Sequence, residues 1–63
     1  MIIRHCKVGG ESTSGLAVYL TTDDGEDYWV PLSLVNRISR DSRMDFQDEI
    51  DIEDWWCRKN GLA

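Results

Sequence analysis

Residues 49–63 constrain the fold of this chain more than any other stretch, because their pattern of apolar residues changes period part-way along. Two isoleucines alternate with acids, and this period of two predicts a β-strand over residues 46–52, or from Glu49 onward. Adjacent tryptophans and a basic pair follow, and Gly61 stands where a glycine commonly ends a helix. The sequence therefore predicts a last strand that runs directly into a closing helix at residues 53–60.

Four earlier segments have the alternation of short strands, and clusters of turn-forming residues separate them. The Asp-Gly pair at residues 24–25 supplies the positive φ angles that a tight hairpin turn needs. Strict alternation in the first segment places Ile2, Arg4 and Cys6 on one face. The expected strands are residues 1–8, 16–22, 27–30 and 36–43, with connectors at 9–15, 23–26 and 32–35 and a polar loop at 40–45 that overlaps the fourth strand.

These elements predict a single domain, residues 1–63, of the α+β class. It is a small twisted antiparallel sheet of about five short strands, open or barrel-like, with one C-terminal helix. A chain this short buries only about 60% of its unfolded surface, so its aromatic residues must supply much of the packing. Trp55 and Trp56 lie about 100° apart on a helix, so one is expected in the core and the other half exposed. The pattern leaves open which is which, whereas Trp29 is expected in the core.

The formal net charge of the chain is −5, from twelve acidic and seven basic residues. This sign disfavours binding of nucleic acid or of anionic membranes, since both need lysine and arginine. It favours a basic partner surface, or simply solubility. No apolar run is long enough for a membrane span or a signal peptide. We therefore expect a cytoplasmic protein with reduced thiols, and a Cys6–Cys57 disulfide is the open alternative.

Two acidic clusters are the leading candidate for a functional surface. If the hairpin and the last strand share a side, their carboxylates would imitate the charge row of a nucleic-acid backbone, as a DNA mimic does. Whether they share one face stays open, and the plain alternative is a solvated face plus a turn that favours Asp. The predicted partner-binding residues are Asp23, Asp24, Glu26 and Asp27 in the hairpin, and Asp45, Asp48, Glu49, Asp51, Glu53, Asp54 and Trp56 in the C-terminal part.

Catalytic and metal-binding patterns are weak in this sequence. His5 with the two cysteines does not match the spacing of zinc ligands. No nucleophile is spaced to work with that histidine, and no Gly-rich phosphate loop is present. We therefore expect no metal, no cofactor and no enzymatic activity. An arginine trio at positions 37, 40 and 43 could bind phosphate, or could pair with the surplus of acids.

Two segments resemble patterns of small proteins from phages and mobile elements. Residues 24–33, DGEDYWVPLS, resemble DG-x-x-x-W-(I/V)-P-x-S, and residues 49–62 resemble an ending I-x-(I/V)-x-(D/E)-W-x-x-x-K-x-G-L. The chain departs from the second pattern at Glu53, Trp56 and Cys57. In its small size, acidity and single domain it is also similar to anti-CRISPR proteins, which is a likeness of type without a shared motif.

The resemblance to anti-CRISPR proteins implies a non-enzymatic, phage-encoded inhibitor. It would bind a bacterial defence effector complex through its acidic surface and block DNA binding there. The partner would be a basic nucleic-acid-binding protein or complex, such as a CRISPR–Cas effector subunit, and neither direct nucleic acid nor membrane is expected. One alternative is an accessory module that binds a phage or host protein through an exposed tryptophan. Another is a single-strand nucleic-acid-binding module that would use Tyr19, Tyr28 and Trp29.

Overall fold

A five-stranded antiparallel sheet carries the fold in the computed structural model, which describes residues 1–41 and 43–62. Its strands lie in the order β3-β2-β1-β5-β4, so β3 and β4 form the two edges. Over the described residues the sheet is open and does not close into a barrel. The predicted α+β sheet with one C-terminal helix is confirmed. In chain order the elements are β1 (Ile2–Glu11), β2 (Ala17–Thr22), β3 (Asp27–Pro31), a 3-10 turn (Leu32–Leu34), β4 (Val35–Ser39), β5 (Asp48–Ile52) and α1 (Asp54–Lys59).

The central strand, β1, pairs with β5 along its first half and with β2 along its second half. The register against β5 shifts between Ile3 and Cys6, and His5 has a φ of 55°, which is unusual for a residue with a side chain. The extra residue of this β-bulge changes the alternation, so that Ile3, Cys6 and Val8 all face the core. The prediction that Arg4 shares a face with Cys6 is therefore wrong, because a strict period of two cannot represent a bulge.

One face of the sheet holds the apolar core, and α1 covers that face. The rings of Tyr28 in β3 and Trp56 in the helix pack edge-on, with centroids 6.2 Å apart. The helix therefore packs against the β2–β3 side of the sheet as well as against β5, the strand that precedes it. The opposite face of the sheet has no helix over it in the described part of the chain. The buried core residues are Ile3, Cys6, Val8, Val18, Leu20, Val30, Ile50, Ile52, Trp56 and Cys57.

The short helix α1 ends in a Schellman motif, as the glycine near its end predicts. Gly61 has a φ of 77°, a conformation that a residue with a side chain rarely adopts. The N–H of Gly61 donates to the carbonyl of Arg58 at 3.4 Å, and the N–H of Leu62 donates to the carbonyl of Cys57 at 2.8 Å. Leu62 then packs against the core. The helix is one residue shorter at each end than the predicted span 53–60.

Other boundaries differ from those expected. β1 continues to Glu11 through two glycines that the sequence assigns to a connector. β4 ends at Ser39 rather than at residue 43, and the predicted span includes Ser42, which lies outside the described residues. Phe46 has a φ of 58° in a turn, so the last strand begins after it. No helix in the ranges 1–41 and 43–62 is long and apolar enough to cross a membrane.

Candidate protein-binding surface

The hairpin between β2 and β3 carries four exposed acidic residues, called here the hairpin cluster. The Asp-Gly turn forms as predicted, with Gly25 at a φ of 92°. Among residues 1–41 and 43–62, no basic group lies within ion-pair distance of the four carboxylates. The hairpin therefore holds a concentration of negative charge that the fold does not neutralise. Its members are Asp23, Asp24, Glu26 and Asp27.

Two threonines of β2 orient the hairpin cluster without neutralising it. The Thr21 hydroxyl donates to Oδ1 of Asp27 at 3.0 Å, and the Thr22 hydroxyl donates to Oδ1 of Asp24. The N–H of Glu26 donates in turn to the Thr22 hydroxyl at 3.1 Å. A hydroxyl is a neutral donor, so these bonds orient the carboxylates without bringing a cation to them.

An open cleft of about 520 Å³ lies beside the cluster, between the hairpin, the start of β1 and the end of α1. Three carboxylates of the cluster line one side. Asn60 and Gly61 bring the C-terminal end of the helix to the cleft. Arg4 is in the lining as well, and its Nε lies 3.4 Å from Oε1 of Glu49. Arg4 therefore stands between the hairpin cluster and the acids of β5.

The acids of β5 and the residue after it are engaged by the fold. Glu49 pairs with Arg4 at 3.4 Å and with Arg37 at 3.9 Å. Glu53 accepts a hydrogen bond from the Asn36 side-chain amide at 3.0 Å. A partner's cation would therefore compete with Arg4 and Arg37 for Glu49, whereas Asn36 is a neutral donor that orients Glu53 without offsetting its charge.

The amino group of Met1 holds two further predicted contact residues. It lies 3.1 Å from Oδ1 of Asp51 and 2.7 Å from Oδ1 of Asp54. These two carboxylates raise the pKa of the amino group, with the hydrogen bond to Asp54 the larger cause. The same hydrogen bond lowers the pKa of Asp54. This network therefore joins the residue before β1 to β5 and α1.

Asp48, one of the predicted partner-binding residues, is buried in the fold and has little surface to offer a partner. Its side chain is on the core face and only 7% exposed. One carboxylate oxygen accepts the N–H of Val8 at 2.8 Å, and the other accepts the N–H of Asp41 at 2.8 Å. The carboxylate thus joins β1 and β5 to the loop after β4. The sequence shows Asp48 only as a break in an apolar face, and a buried carboxylate satisfied by backbone donors gives no local pattern.

Of the two adjacent tryptophans, one lies in the core and one is half exposed, as expected, whereas Trp29 does not lie in the core. Trp56 is 9% exposed and packs in the core, so little of its indole is available to a partner. Its neighbour Trp55 is 55% exposed, because consecutive residues point to different sides of a helix. Trp29, expected in the core, is 54% exposed. Two half-exposed indoles therefore lie on the surface, one on the helix and one on β3.

The open face of the sheet carries an aromatic pair formed by two of the three residues predicted to stack bases. The rings of Tyr19 and Trp29, directly opposite each other on β2 and β3, have centroids 4.9 Å apart and an interplanar angle of 52°. Tyr28 lies on the other face against Trp56. The three aromatics proposed to stack bases are thus split between two faces. Alternation around the buried Val30 is the signal that places Tyr28 inward and Trp29 outward.

The three arginines that could bind phosphate each contact a different part of the protein. Arg37 pairs with Glu49, Arg40 donates to the carbonyls of Val8 and Gly9, and Arg43 pairs with Asp41. The arginine trio therefore does not converge on one phosphate site. Asp45, the last predicted contact residue, is exposed in the turn before β5.

Neither cysteine takes part in a disulfide or a metal cluster in the described chain. Cys6 and Cys57 are free, buried thiols. Burial, and then the carboxylates of Asp48, Glu49 and Asp23, raise the pKa of Cys6 to about 11. No group of His, Cys, Asp and Glu within residues 1–41 and 43–62 is arranged to hold a metal ion.

Comparisons with known proteins returned no matching family model, no matching curated protein and no matching solved structure. The function must therefore be inferred from the surface: an uncompensated acidic hairpin beside an acidic cleft, and an aromatic pair on the open sheet face.

Proposed function

We propose that this protein is a non-enzymatic binding protein whose hairpin cluster docks on a basic, nucleic-acid-binding surface of a partner and excludes DNA from it. One observation carries the proposal: the four hairpin carboxylates are exposed and lack any ion-pair partner in the described chain, whereas those of β5 are already used. The likeness of type to anti-CRISPR proteins supports a phage-encoded inhibitor in the cytoplasm of a bacterial host. A defence effector complex is its candidate partner.

The mechanism would be competition for lysine and arginine side chains. A groove that holds nucleic acid is lined with such cations, which neutralise phosphates. The hairpin cluster offers four carboxylates within a short turn, and long-range attraction between the opposite charges would speed the encounter. Three of these carboxylates line the open cleft beside the hairpin, where a partner's cation could reach them. Glu49 and Asp51 would contribute less, because their charges are already offset by Arg4, Arg37 and the amino group of Met1.

The test is capture of a partner from a host lysate with the tagged chain, after nuclease treatment and at increasing salt. We expect capture that weakens steeply as salt rises from about 50 to 200 mM, and displacement of DNA from the captured partner. The variant Asp23→Asn/Asp24→Asn/Glu26→Gln should lose capture. A matched control with the same change in net charge, Glu11→Gln/Asp45→Asn/Glu53→Gln, should keep it. Equal capture by both variants would contradict the proposal.

A second candidate function is an accessory module that binds a protein through apolar surface. The half-exposed Trp29 and Trp55 favour it, since an exposed indole is a frequent anchor of interfaces. Capture would then be nearly independent of salt, and a single tryptophan substitution would abolish it. The salt series therefore separates the two functions.

A further inference from the structure

β3 is an edge strand, and its hydrogen bonds define which of its backbone groups remain available. Residues opposite each other in an antiparallel pair alternate between hydrogen-bonded and non-hydrogen-bonded positions. The N–H of Thr22 donates to the carbonyl of Glu26 at 2.8 Å, and the N–H of Leu32 donates to the carbonyl of Leu16 at 2.9 Å. One of these bonds lies just before β3 and the other just after it, and the pairing of β2 with β3 between them has no register shift. The even-numbered residues of β3 are therefore the ones bonded to β2.

The odd-numbered residues of β3 consequently direct their backbone groups to the free edge of the sheet. Asp27 and Trp29 each present an N–H donor and a carbonyl acceptor there, and Pro31 ends the series because it has no N–H. The non-hydrogen-bonded positions also bring opposing side chains close together. This agrees with the contacts of Tyr19 with Trp29 and of Thr21 with Asp27. The edge thus has the pattern that an added strand requires.

The side chains at these positions form a site of their own on the open face. Trp29 is tilted against Tyr19 and is 54% exposed, so part of its indole faces solvent. Gly9 lies beside Tyr19 on the neighbouring strand, where a Cβ would be 3.5 Å from the Cβ of Tyr19. Because Gly9 has no side chain, it covers none of the Tyr19 ring. About half of the Trp29 side chain is therefore accessible to a partner. An indole is the best cation–π acceptor among the side chains.

A carboxylate stands at the end of this aromatic pair. Asp27 precedes Trp29 by two residues, so both side chains lie on the same face, roughly 7 Å apart along the strand. Thr21 holds Oδ1 of Asp27 by a hydrogen bond of 3.0 Å. The carboxylate also lies beside the Tyr19 hydroxyl, whose pKa it raises. A planar cation could stack on the indole and donate to this carboxylate, and arginine is the side chain with that shape.

We propose that the free edge of β3 binds an extended segment of a partner protein as an added strand, with an arginine of that segment stacked on Trp29 and paired with Asp27. This inference rests on the proposed function for its basic partner, and it names the chemistry of the contact. Charge decides the occupant. A second copy of this chain would bring a second net charge of −5, and a nucleic acid would bring phosphates, to an edge that begins at the hairpin cluster.

The test uses short extended peptides of alternating Thr and Val with one central arginine, titrated into ¹⁵N-labelled protein. We expect chemical-shift changes at the Trp29 indole and at the amides of Asp27 and Trp29. Trp29→Leu and Asp27→Asn should each weaken binding about tenfold. The control Trp55→Leu removes an equally exposed indole from the helix and should leave the affinity unchanged. A citrulline-for-arginine peptide should bind at least tenfold more weakly, and so should a peptide N-methylated along one edge.

Failure of this inference can be told apart from failure of the proposed function. The variant Asp23→Asn/Asp24→Asn/Glu26→Gln should lose the salt-dependent capture of a partner and still show the peptide contact at Trp29. The inference is overturned if the arginine peptide leaves the Trp29 signals unchanged, or if the citrulline or N-methylated peptides bind equally well. It is also overturned if an oligothymidine or a second copy of the chain occupies these positions instead. Retained capture by the triple variant would instead contradict the proposed function, while the peptide contact at Trp29 would still support this inference.

Discussion

The hairpin cluster and the acids of β5 have the same charge in different surroundings. In the hairpin, hydroxyl groups orient exposed carboxylates. In β5, the buried carboxylate of Asp48 accepts hydrogen bonds from two backbone N–H groups. Glu49 forms ion pairs with two arginines, and Asp51 forms one with the amino group of Met1. A count of acids therefore overstates the surface available for binding. The hairpin carboxylates are exposed and form no ion pair in the described part of the chain, so they can bind a partner's cations without breaking an ion pair of the fold.

The largest expected difference between the two regions is in how much a substitution there lowers the free energy of unfolding. Asp48→Ala leaves the N–H groups of Val8 and Asp41 without acceptors inside the protein, at about 1–3 kcal/mol each. A core of this size rarely supplies more than about 3–5 kcal/mol, so we expect most of the variant to be unfolded at 25 °C. Asp24→Asn should change the free energy of unfolding by less than about 0.5 kcal/mol. Urea denaturation followed by tryptophan fluorescence measures both, and equal midpoints would refute the contrast.

The alkaline stability of the protein should depend on a thiol between the two regions. The pKa of Cys6 rises from its ordinary value of 9.0 to about 11 in the folded protein. The protonated thiol therefore favours folding fully below pH 9, and this contribution is lost as the pH rises through about 11. Linkage predicts a loss of roughly 2–3 kcal/mol over that interval. In Cys6→Ala the stability should vary less with pH between 9 and 11 than in the unmodified protein. Thermal unfolding at a series of pH values measures this dependence, and the same slope of stability against pH in both proteins would contradict the prediction.

A smaller effect should have opposite signs in the two regions. Neutralising Glu49 with Gln removes partly exposed ion pairs to Arg4 and Arg37, and it should destabilise the protein by less than about 1 kcal/mol. Neutralising Asp23 and Asp24 together relieves repulsion between like charges, so it should leave stability unchanged or raise it slightly at low salt. Both effects should shrink as salt increases. Melting curves of both variants at low and high salt show whether each substitution raises or lowers stability. Destabilisation on neutralising Asp23 and Asp24 would contradict the contrast, because it would mean that these carboxylates have cationic partners.

Sequence patterns predicted the features that depend on local chemistry. The Asp-Gly hairpin turn and the helix-ending Gly61 are set by the residues allowed at positive φ. The sheet with one closing helix followed from the change of period after β5. Features set by tertiary pairing were not predictable in this way. The bulge at His5 changes the faces of β1, and the burial of Asp48 depends on N–H groups from two distant segments.

The candidate surface was predicted in part for the same reason. The hairpin acids are exposed because a tight turn projects from the sheet, as the sequence indicates. The acids of β5 look equivalent in sequence, yet alternation alone cannot show that cations from β1 and β4 face them. Trp29 and Trp56 exchange their expected roles, since the choice of inward face depends on which neighbours a strand or helix acquires.

The most direct test of this comparison is partner binding by two variants with equal net charge. Asp23→Asn/Asp24→Asn/Glu26→Gln and Glu11→Gln/Asp45→Asn/Glu53→Gln should both fold, as circular dichroism will show. Affinity for the captured partner is then measured by titration at several salt concentrations. We predict that the hairpin variant binds about tenfold or more weakly at low salt, with a shallower dependence on salt, and that the control matches the unmodified chain. Equal affinities and equal salt dependence for the two variants would contradict a function centred on the hairpin.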